Sequence, residues 1–198
     1  MRTGWTRILL AMMAGSILIP ALAQDAGRQS TAPDPAILAK ANAGDAAAQL
    51  LVGDSYAERD GQTRAPKQLA ADYKQAAEWY RRAAVQGSVE GQLRLAALYR
   101  DGKGVAHDMA EAANWYRKAA DRGDAGAQGT LGLLYAFGQG VPHSDVEAYY
   151  WLDLAAAVKG PNQEKYAANR QMVGTRITAD ELAEVQERVE KWKAEHPR

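Results

Sequence analysis

Histidine, serine and charged side chains are the groups of this sequence that could do chemistry. His107 and His143 lie 36 residues apart at equivalent positions of a repeated pattern, and two imidazoles could ligate a metal ion. Equivalent atoms in neighbouring helical units lie about 10 Å apart, which is too far for one ion to bond to both. The spacing therefore favours two solvated loop histidines over a metal site.

The other reactive groups lack the arrangements that catalysis needs. No serine lies in motif spacing with a histidine and an acid. Gly102-Lys103-Gly104 has neither the length nor the following Ser or Thr of a phosphate-binding loop. The chain has no Cys, which excludes disulfides, thiolate metal ligands and cysteine nucleophiles. We therefore predict no catalytic residue, no cofactor and no metal, and we expect a protein that is not an enzyme.

The charge of the chain is balanced. Lys and Arg number 24, Asp and Glu number 24, and the formal net charge is zero. Such a chain offers no broad basic field to a nucleic-acid backbone, so we expect no nucleic-acid partner.

The first residues have the order of a secretory signal. Arg2 and Arg7 precede an apolar run at 8–19, and Ala21 and Ala23 supply the small residues that flank a cleavage site. We expect cleavage after Ala23, a periplasmic or secreted mature chain, and no membrane span after signal removal. An uncleaved membrane anchor is the alternative, although the run is shorter than the roughly 20 residues that a span needs.

An internal repeat of 36 residues organises the rest of the chain. Trp79, Trp115 and Trp151 follow this period, and Gln92–Tyr99 aligns with Gln128–Tyr135 at the same spacing. The copy before them lies 43 residues upstream, because seven extra residues stand between its two halves. A fixed period of this length is typical of solenoids, in which supersecondary units stack.

Each unit is predicted to contain two helices. Ala76, Trp79, Tyr80 and Ala83 follow the spacing i, i+3, i+4, i+7, so they share one face of the second helix. Ala makes up 41 of the 198 residues, which favours closely packed helices. We therefore predict an all-α fold, an α/α superhelical solenoid of helix hairpins. Polar residues that follow a glycine are the predicted helix N-caps, namely Asp45, Ser88 and Asp124.

The pattern resembles a known repeat family. Gln128–Val141 and Ala112–Gly123 are similar, nearly position for position, to the Sel-one-like repeat (SLR), a relative of the tetratricopeptide repeat. The resemblance implies a superhelix used for protein–protein contact, often at the bacterial envelope, and it implies no activity.

Helices are expected to cap the solenoid at both ends. The stripe of Leu182, Val185, Val189 and Trp192 predicts a half-buried terminal helix, and a partner-binding helix is the alternative. The predicted organisation is a signal peptide at 1–23, a flexible lead at 24–33, an N-terminal capping helix at 34–44, repeats at about 45–87, 88–123 and 124–159, and C-terminal capping helices at 160–198.

The family resemblance places a groove on the first helices of the units. By analogy with tetratricopeptide repeats, the following positions should be exposed there: Ala47, Leu50, Asp54, Ala57, Glu90, Leu93, Ala97, Arg100, Gly126, Gly129, Leu133 and Ala136. We predict that Leu50, Leu93 and Leu133 contact a partner and that Arg100 orients it, with Asp54 and Glu90 as isolated charges. Alternatively, these leucines fill a tight superhelix interior without a ligand.

These features favour a non-catalytic interaction scaffold of the cell envelope that binds a protein or peptide. Two other functions stay open: an enzyme or enzyme accessory that acts on cell wall or exported polysaccharide, and an assembly subunit that associates with its own copies. A carbohydrate platform of Trp-Tyr pairs is disfavoured, because the helical spacing places those rings in the core.

Overall fold

The computed structural model describes residues 32–61 and 65–197. The predicted signal peptide and most of the predicted flexible lead lie outside the described residues. Within the described ranges the regular structure is helical, and no strand is present. The α-helices are α1 (Pro35–Asn42), α2 (Ala46–Ala57), α3 (Pro66–Val85), α4 (Val89–Asp101), α5 (Met109–Asp121), α6 (Ala125–Phe137), α7 (Asp145–Ala156), α8 (Gln163–Gly174) and α9 (Ala179–Glu195), with a short 3-10 helix at Glu58–Gly61. None of these helices is both long enough and apolar enough to cross a bilayer.

Six of the helices form three successive pairs. The first helices α2, α4 and α6 pack against the second helices α3, α5 and α7, respectively, and each pair packs against the next. The side chains of Asp45, Ser88 and Asp124 each accept a hydrogen bond from the backbone N–H three residues later, at 2.6, 3.2 and 2.7 Å. These bonds confirm the predicted N-caps. The predicted α/α solenoid is therefore the observed architecture.

The repeated apolar residues form a core that is continuous between units. Tyr80 of α3, Leu95 of α4, Trp115 of α5 and Leu134 of α6 belong to one buried cluster. One helix pair cannot bury these faces alone, so each unit depends on its neighbours for burial.

A glutamine side chain crosses every junction between units. Its Nε2 donates to a backbone carbonyl in the last turn of the preceding second helix, or of α1, at 3.1 to 3.2 Å. The pairs are Gln49 with Ala41, Gln92 with Ala84, Gln128 with Ala120, and Gln163 with Ala156. The Ala41, Ala84 and Ala120 carbonyls each already accept a hydrogen bond from the N–H of the glycine three residues later, so the glutamine is a second donor to them. By this contact α1 corresponds to the end of a second helix and α8 to a fourth first helix.

The seven extra residues of the first unit lengthen α3. Helix α3 begins at Pro66, seven positions before the residue that aligns with Met109, where α5 begins. Asp72 aligns with Asp108, the N-cap of α5, but it lies inside α3. There it forms a buried ion pair with Arg59 at 2.8 Å. The extra residues therefore add about two helical turns.

The C-terminal helix α9 packs against α7. Val185, Val189 and Trp192 are buried and Leu182 is half-buried, which confirms the predicted core stripe. Thr178 and Glu181 form a capping box at the start of α9. Helix α9 takes its main contacts from α7 and few from α8, so these two helices do not form a fourth pair.

Candidate partner-binding surface

The first helices and α8 present equivalent stripes of exposed or half-buried residues. We call these stripes together the first-helix surface: Leu51 and Asp54 on α2 with Glu58 directly after it; Arg94, Ala97 and Asp101 on α4; Thr130, Leu133 and Phe137 on α6; and Lys165, Ala168 and Met172 on α8. The α2 and α4 stripes are mostly charged, whereas the α6 and α8 stripes are mostly apolar. A partner that fits this surface needs polar groups at one end and apolar side chains at the other.

Exposed large apolar side chains are concentrated on the first-helix surface. In the described part of the chain four such residues are exposed, and three of them are Leu51, Phe137 and Met172, at 54%, 67% and 54%. The fourth is Val85 on α3, at 69%. Exposed apolar side chains of this size that recur at equivalent positions of a groove or helix face are suited to anchor a partner segment. Phe137 and Met172 occupy equivalent positions on α6 and α8.

Two of the predicted contact residues are turned partly into the core. Leu50 and Leu93 are half-buried and pack against the buried cluster that contains Leu95. The residues one position later, Leu51 and Arg94, are the ones that face out. Sequence reasoning missed them because the tetratricopeptide analogy set these two positions one residue early, and one residue turns a side chain by about 100° around a helix.

Two positions that were expected to be exposed are buried. Gly129 and Ala136 on α6 are covered, so the prediction for them is wrong. Helix α8 explains the difference at Gly129, because a Cβ built there would clash with the ring of Tyr166. Leu133, on the same helix, is half-buried and stays on the first-helix surface.

Asp54 belongs to a polar network at the α2–α4 end. Its carboxylate accepts a hydrogen bond of 2.7 Å from the Tyr80 hydroxyl, and the Arg94 Nε lies 3.8 Å from it. The same Arg94 Nε pairs with Glu90 at 2.7 Å. Burial, followed by the hydrogen bond to Asp54, raises the pKa of Tyr80 above its usual value. The predicted charges Asp54 and Glu90 therefore share a single arginine.

Arg100 is exposed but engaged by its own chain. Its guanidinium pairs with Asp101 through two bonds of 2.7 and 3.3 Å, and its Nη1 donates to the Tyr116 hydroxyl at 3.2 Å. The hydrogen bond from Arg100 lowers the pKa of Asp101. A partner that uses Arg100 has to share it with Asp101.

The loop histidines make local contacts. The Nδ1 atom of His107 lies 2.7 Å from the carbonyl oxygen of Arg100, and the Nε2 atom of His143 lies 3.6 Å from Asp145. Over residues 32–61 and 65–197, no three His, Cys, Asp or Glu side chains come together in a group that could hold a metal ion.

Comparison with known families identifies the repeat. A family model for the Sel1 repeat matches residues 46–88, 89–124 and 125–157, more than half of the chain. The chain is a Sel1 repeat protein. Sel1 repeats generally serve as protein-interaction scaffolds, and their fold is typically non-catalytic.

Two solved structures resemble this Sel1 repeat protein. One is a protective antigen present in uropathogenic Escherichia coli strains that displays an SLR fold: it is 25% identical with a TM-score of 0.57, over 81% of this chain and 40% of that one. The other is a Sel1 repeat protein from Oxalobacter formigenes, 32% identical with a TM-score of 0.55, over 66% of this chain and 49% of that one. The chain thus spans less than half of either neighbour. No curated protein matches it.

Proposed function

We propose that this protein is a non-catalytic scaffold of the bacterial cell envelope that binds a protein or peptide on its first-helix surface. The observation that carries the proposal is the pair of exposed apolar residues Phe137 and Met172 at equivalent positions of α6 and α8. Apolar side chains of this size are costly to leave in water and are typical anchors for a partner segment.

The charges at the other end of the surface supply orientation. Asp54, Arg94 and Asp101 lie on the α2 and α4 stripes. Charged residues at the rim of an interface fix the register of a partner and speed its encounter more than they add affinity. A segment with an apolar half and a charged half fits this arrangement.

The envelope location rests on the signal-like first residues. Expression in a bacterial host, followed by mass spectrometry of the envelope fraction, should find Gln24 as the first residue of the mature protein. Mature protein in that fraction that retains Met1 would contradict cleavage.

Capture of the partner from an envelope extract tests the surface. We expect Phe137→Glu to melt at the wild-type temperature, because substitution of an exposed side chain changes stability by about 0.5 kcal/mol or less. It should nevertheless lose a partner that the wild-type protein retains. Ala183→Glu is the control, since Ala183 is exposed on α9, outside the first-helix surface, and the change adds the same negative charge.

The control separates this surface from the rest of the molecule. The proposal requires the Ala183→Glu protein to capture the same partner as wild type. Equal capture by all three proteins would place the contact elsewhere. Turnover of purified cell wall by the isolated chain would contradict a purely binding role.

A further inference from the structure

A second concave surface lies between the second helices α3 and α5. A groove of about 540 Å³ follows α3 from Lys74 to Val85 and is bounded by Val105 ahead of α5. It continues at the same Val85 into a depression of about 400 Å³ at the C-terminal end of α5. We call the two together the α3–α5 groove. The α3 side is about 16 Å long, from 11 steps of about 1.5 Å each, which matches a helical segment of about three turns.

Positive charge dominates the α3–α5 groove. It is lined by Lys74, Arg81, Arg82, Lys118 and Arg122. The acidic residues that line it are Glu78 and Asp121, in a chain whose formal net charge is zero.

These cations are open to an external anion. The described part of the chain provides no ion pair to any of them. Arg81 donates a hydrogen bond to the Tyr99 hydroxyl, which leaves its other N–H groups available. Arg82 lies 4.3 Å from the centroid of the Trp79 ring, and Lys118 lies 3.8 Å from that of Trp115. Stacking on a ring leaves a cation able to pair with a carboxylate.

The equivalent groove of the next unit, between α5 and α7, is occupied by the C-terminal helix α9. Trp192 of α9 packs with Leu154 of α7, and a Cβ at Gly123 would lie 3.4 Å from its ring. The residues 36 positions before Leu154 and Gly123 are Lys118 and Gly87, which line the α3–α5 groove. The chain's own C-terminal helix therefore fills one groove and leaves its equivalent uncovered.

The two grooves differ in the chemistry that they offer. Where the Trp192 ring lies over Gly123, the Arg122 guanidinium lies over Gly87. Lys118 likewise stands in the place of Leu154. The uncovered groove keeps an apolar floor, with Val85 and Val105, but its walls are cationic. Its complement is a helix with an apolar stripe and acidic flanks.

We propose that the α3–α5 groove is a docking site for an acidic amphipathic helix of a partner protein. This site is separate from the first-helix surface. Binding is expected to be electrostatically assisted and to weaken with salt, because the cations are exposed.

The probe is a fluorescein-labelled 14-residue helical peptide with leucine, valine and tryptophan at i, i+4 and i+7 and glutamate on both flanks. Fluorescence anisotropy should show saturable binding to the full protein. A peptide with lysine in place of glutamate, and one with serine in place of the apolar residues, should each bind at least about tenfold more weakly. Equal binding by either control peptide would overturn the proposal.

Charge reversal locates the site. The double variant Lys74→Glu with Arg122→Glu should weaken peptide binding at least about tenfold. The control is the double variant Lys165→Glu with Lys191→Glu, which makes the same change of net charge on α8 and α9 and should alter peptide binding by about twofold or less. Equal loss in both would mean non-specific attraction and would overturn the site. Phe137→Glu should bind the peptide as wild type does, so this proposal and that of the first-helix surface can fail separately.

A second measurement does not depend on the variants folding. A photoreactive phenylalanine at the tryptophan position of the peptide should cross-link to residues 74–85 or 118–122 of the wild-type protein. Cross-linking confined to α6 or α8 would overturn the proposal. Dimerisation of the chain through this groove, detected by sedimentation, would also overturn the proposal. A third contrary outcome is that the peptide does not bind and the protein instead floats with phosphatidylglycerol vesicles, with the Lys74 and Arg122 changes abolishing the flotation.

Discussion

Replacement of Gln128 by glutamate should test the glutamine contact between units. Gln128 is fully buried, and its Nε2 donates to the Ala120 carbonyl at 3.1 Å. Glutamate has the same shape but places an oxygen where the donor stands. An ionised carboxylate there would face a carbonyl oxygen in a buried site without a compensating cation.

Gln128→Glu replaces only an NH2 group by an oxygen, yet the expected loss in the free energy of unfolding is large. An uncompensated buried charge costs about 3–5 kcal/mol. For a folded unit of this size each kcal/mol corresponds to about 2–4 °C of melting temperature. We therefore expect Gln128→Glu to melt about 6–20 °C below wild type at pH 7.

Leucine at the same position separates charge from the lost bond. The Ala120 carbonyl keeps a hydrogen bond of 2.9 Å from Gly123 N–H, and the Gln128 Oε1 has no partner in the described structure. Gln128→Leu should therefore cost only about 0.5–1.5 kcal/mol, the net value of one hydrogen bond. Gln171→Glu, exposed on α8, should cost about 0.5 kcal/mol or less.

The dependence on pH supplies the decisive assay. Burial should raise the pKa of the introduced carboxyl above its unfolded value, so its destabilising effect grows as the pH rises above about 4.3. In acid the protonated carboxyl can donate to the Ala120 carbonyl, as the amide does. Thermal unfolding followed by circular dichroism from pH 4 to 8 should show the deficit shrinking toward pH 4. A deficit independent of pH, or a melting temperature within 2 °C of wild type at pH 7, would refute the reasoning.

Three further changes test the core, the tyrosine network and the first unit. Trp115→Ala should cost about 3–5 kcal/mol in urea unfolding, as for other large buried aromatics, whereas the exposed control His143→Ala should cost about 0.5 kcal/mol or less. An unchanged urea midpoint for Trp115→Ala would contradict the assignment of Trp115 to the core. Because the pKa of Tyr80 is raised, the unfolded state loses this proton first above pH 10, so stability should fall there by up to about 1.4 kcal/mol per pH unit. Tyr80→Phe should flatten that fall, and an identical pH profile would argue against the assignment. Asp72→Ala leaves the buried Arg59 cation without its carboxylate and should cost about 3–5 kcal/mol by calorimetry, which a loss below 1 kcal/mol would exclude.

The repeat, the helix caps and the core follow directly from the sequence. Trp79, Trp115 and Trp151 share one period, and the spacing of the apolar residues around them is that of a helix. A residue that repeats in type at a fixed period meets the same neighbours in each unit. Periodicity was therefore sufficient to find the repeated apolar residues that are buried.

The orientation of the surface could not be obtained in the same way. Which stripe of a first helix faces outward depends on how each unit is rotated against the next, and Leu50 and Leu51 differ by one such step. Gly129 is buried because Tyr166, 37 residues later, covers it. The stripe of α9 predicts burial but not that Trp192 reaches Gly123. Such contacts between distant segments leave no periodic signal.

The shared glutamine contact has a consequence for how such a chain can change its length. Gln92 and Gln128 bond to the Ala84 and Ala120 carbonyls in the same geometry, so successive units are joined by the same contact. A gene segment that encodes residues 88–123 could be duplicated, and the added unit would find a matching donor on one side and a matching carbonyl on the other. Recombination within the gene would then lengthen the surface by whole units and leave both terminal helices with their present partners.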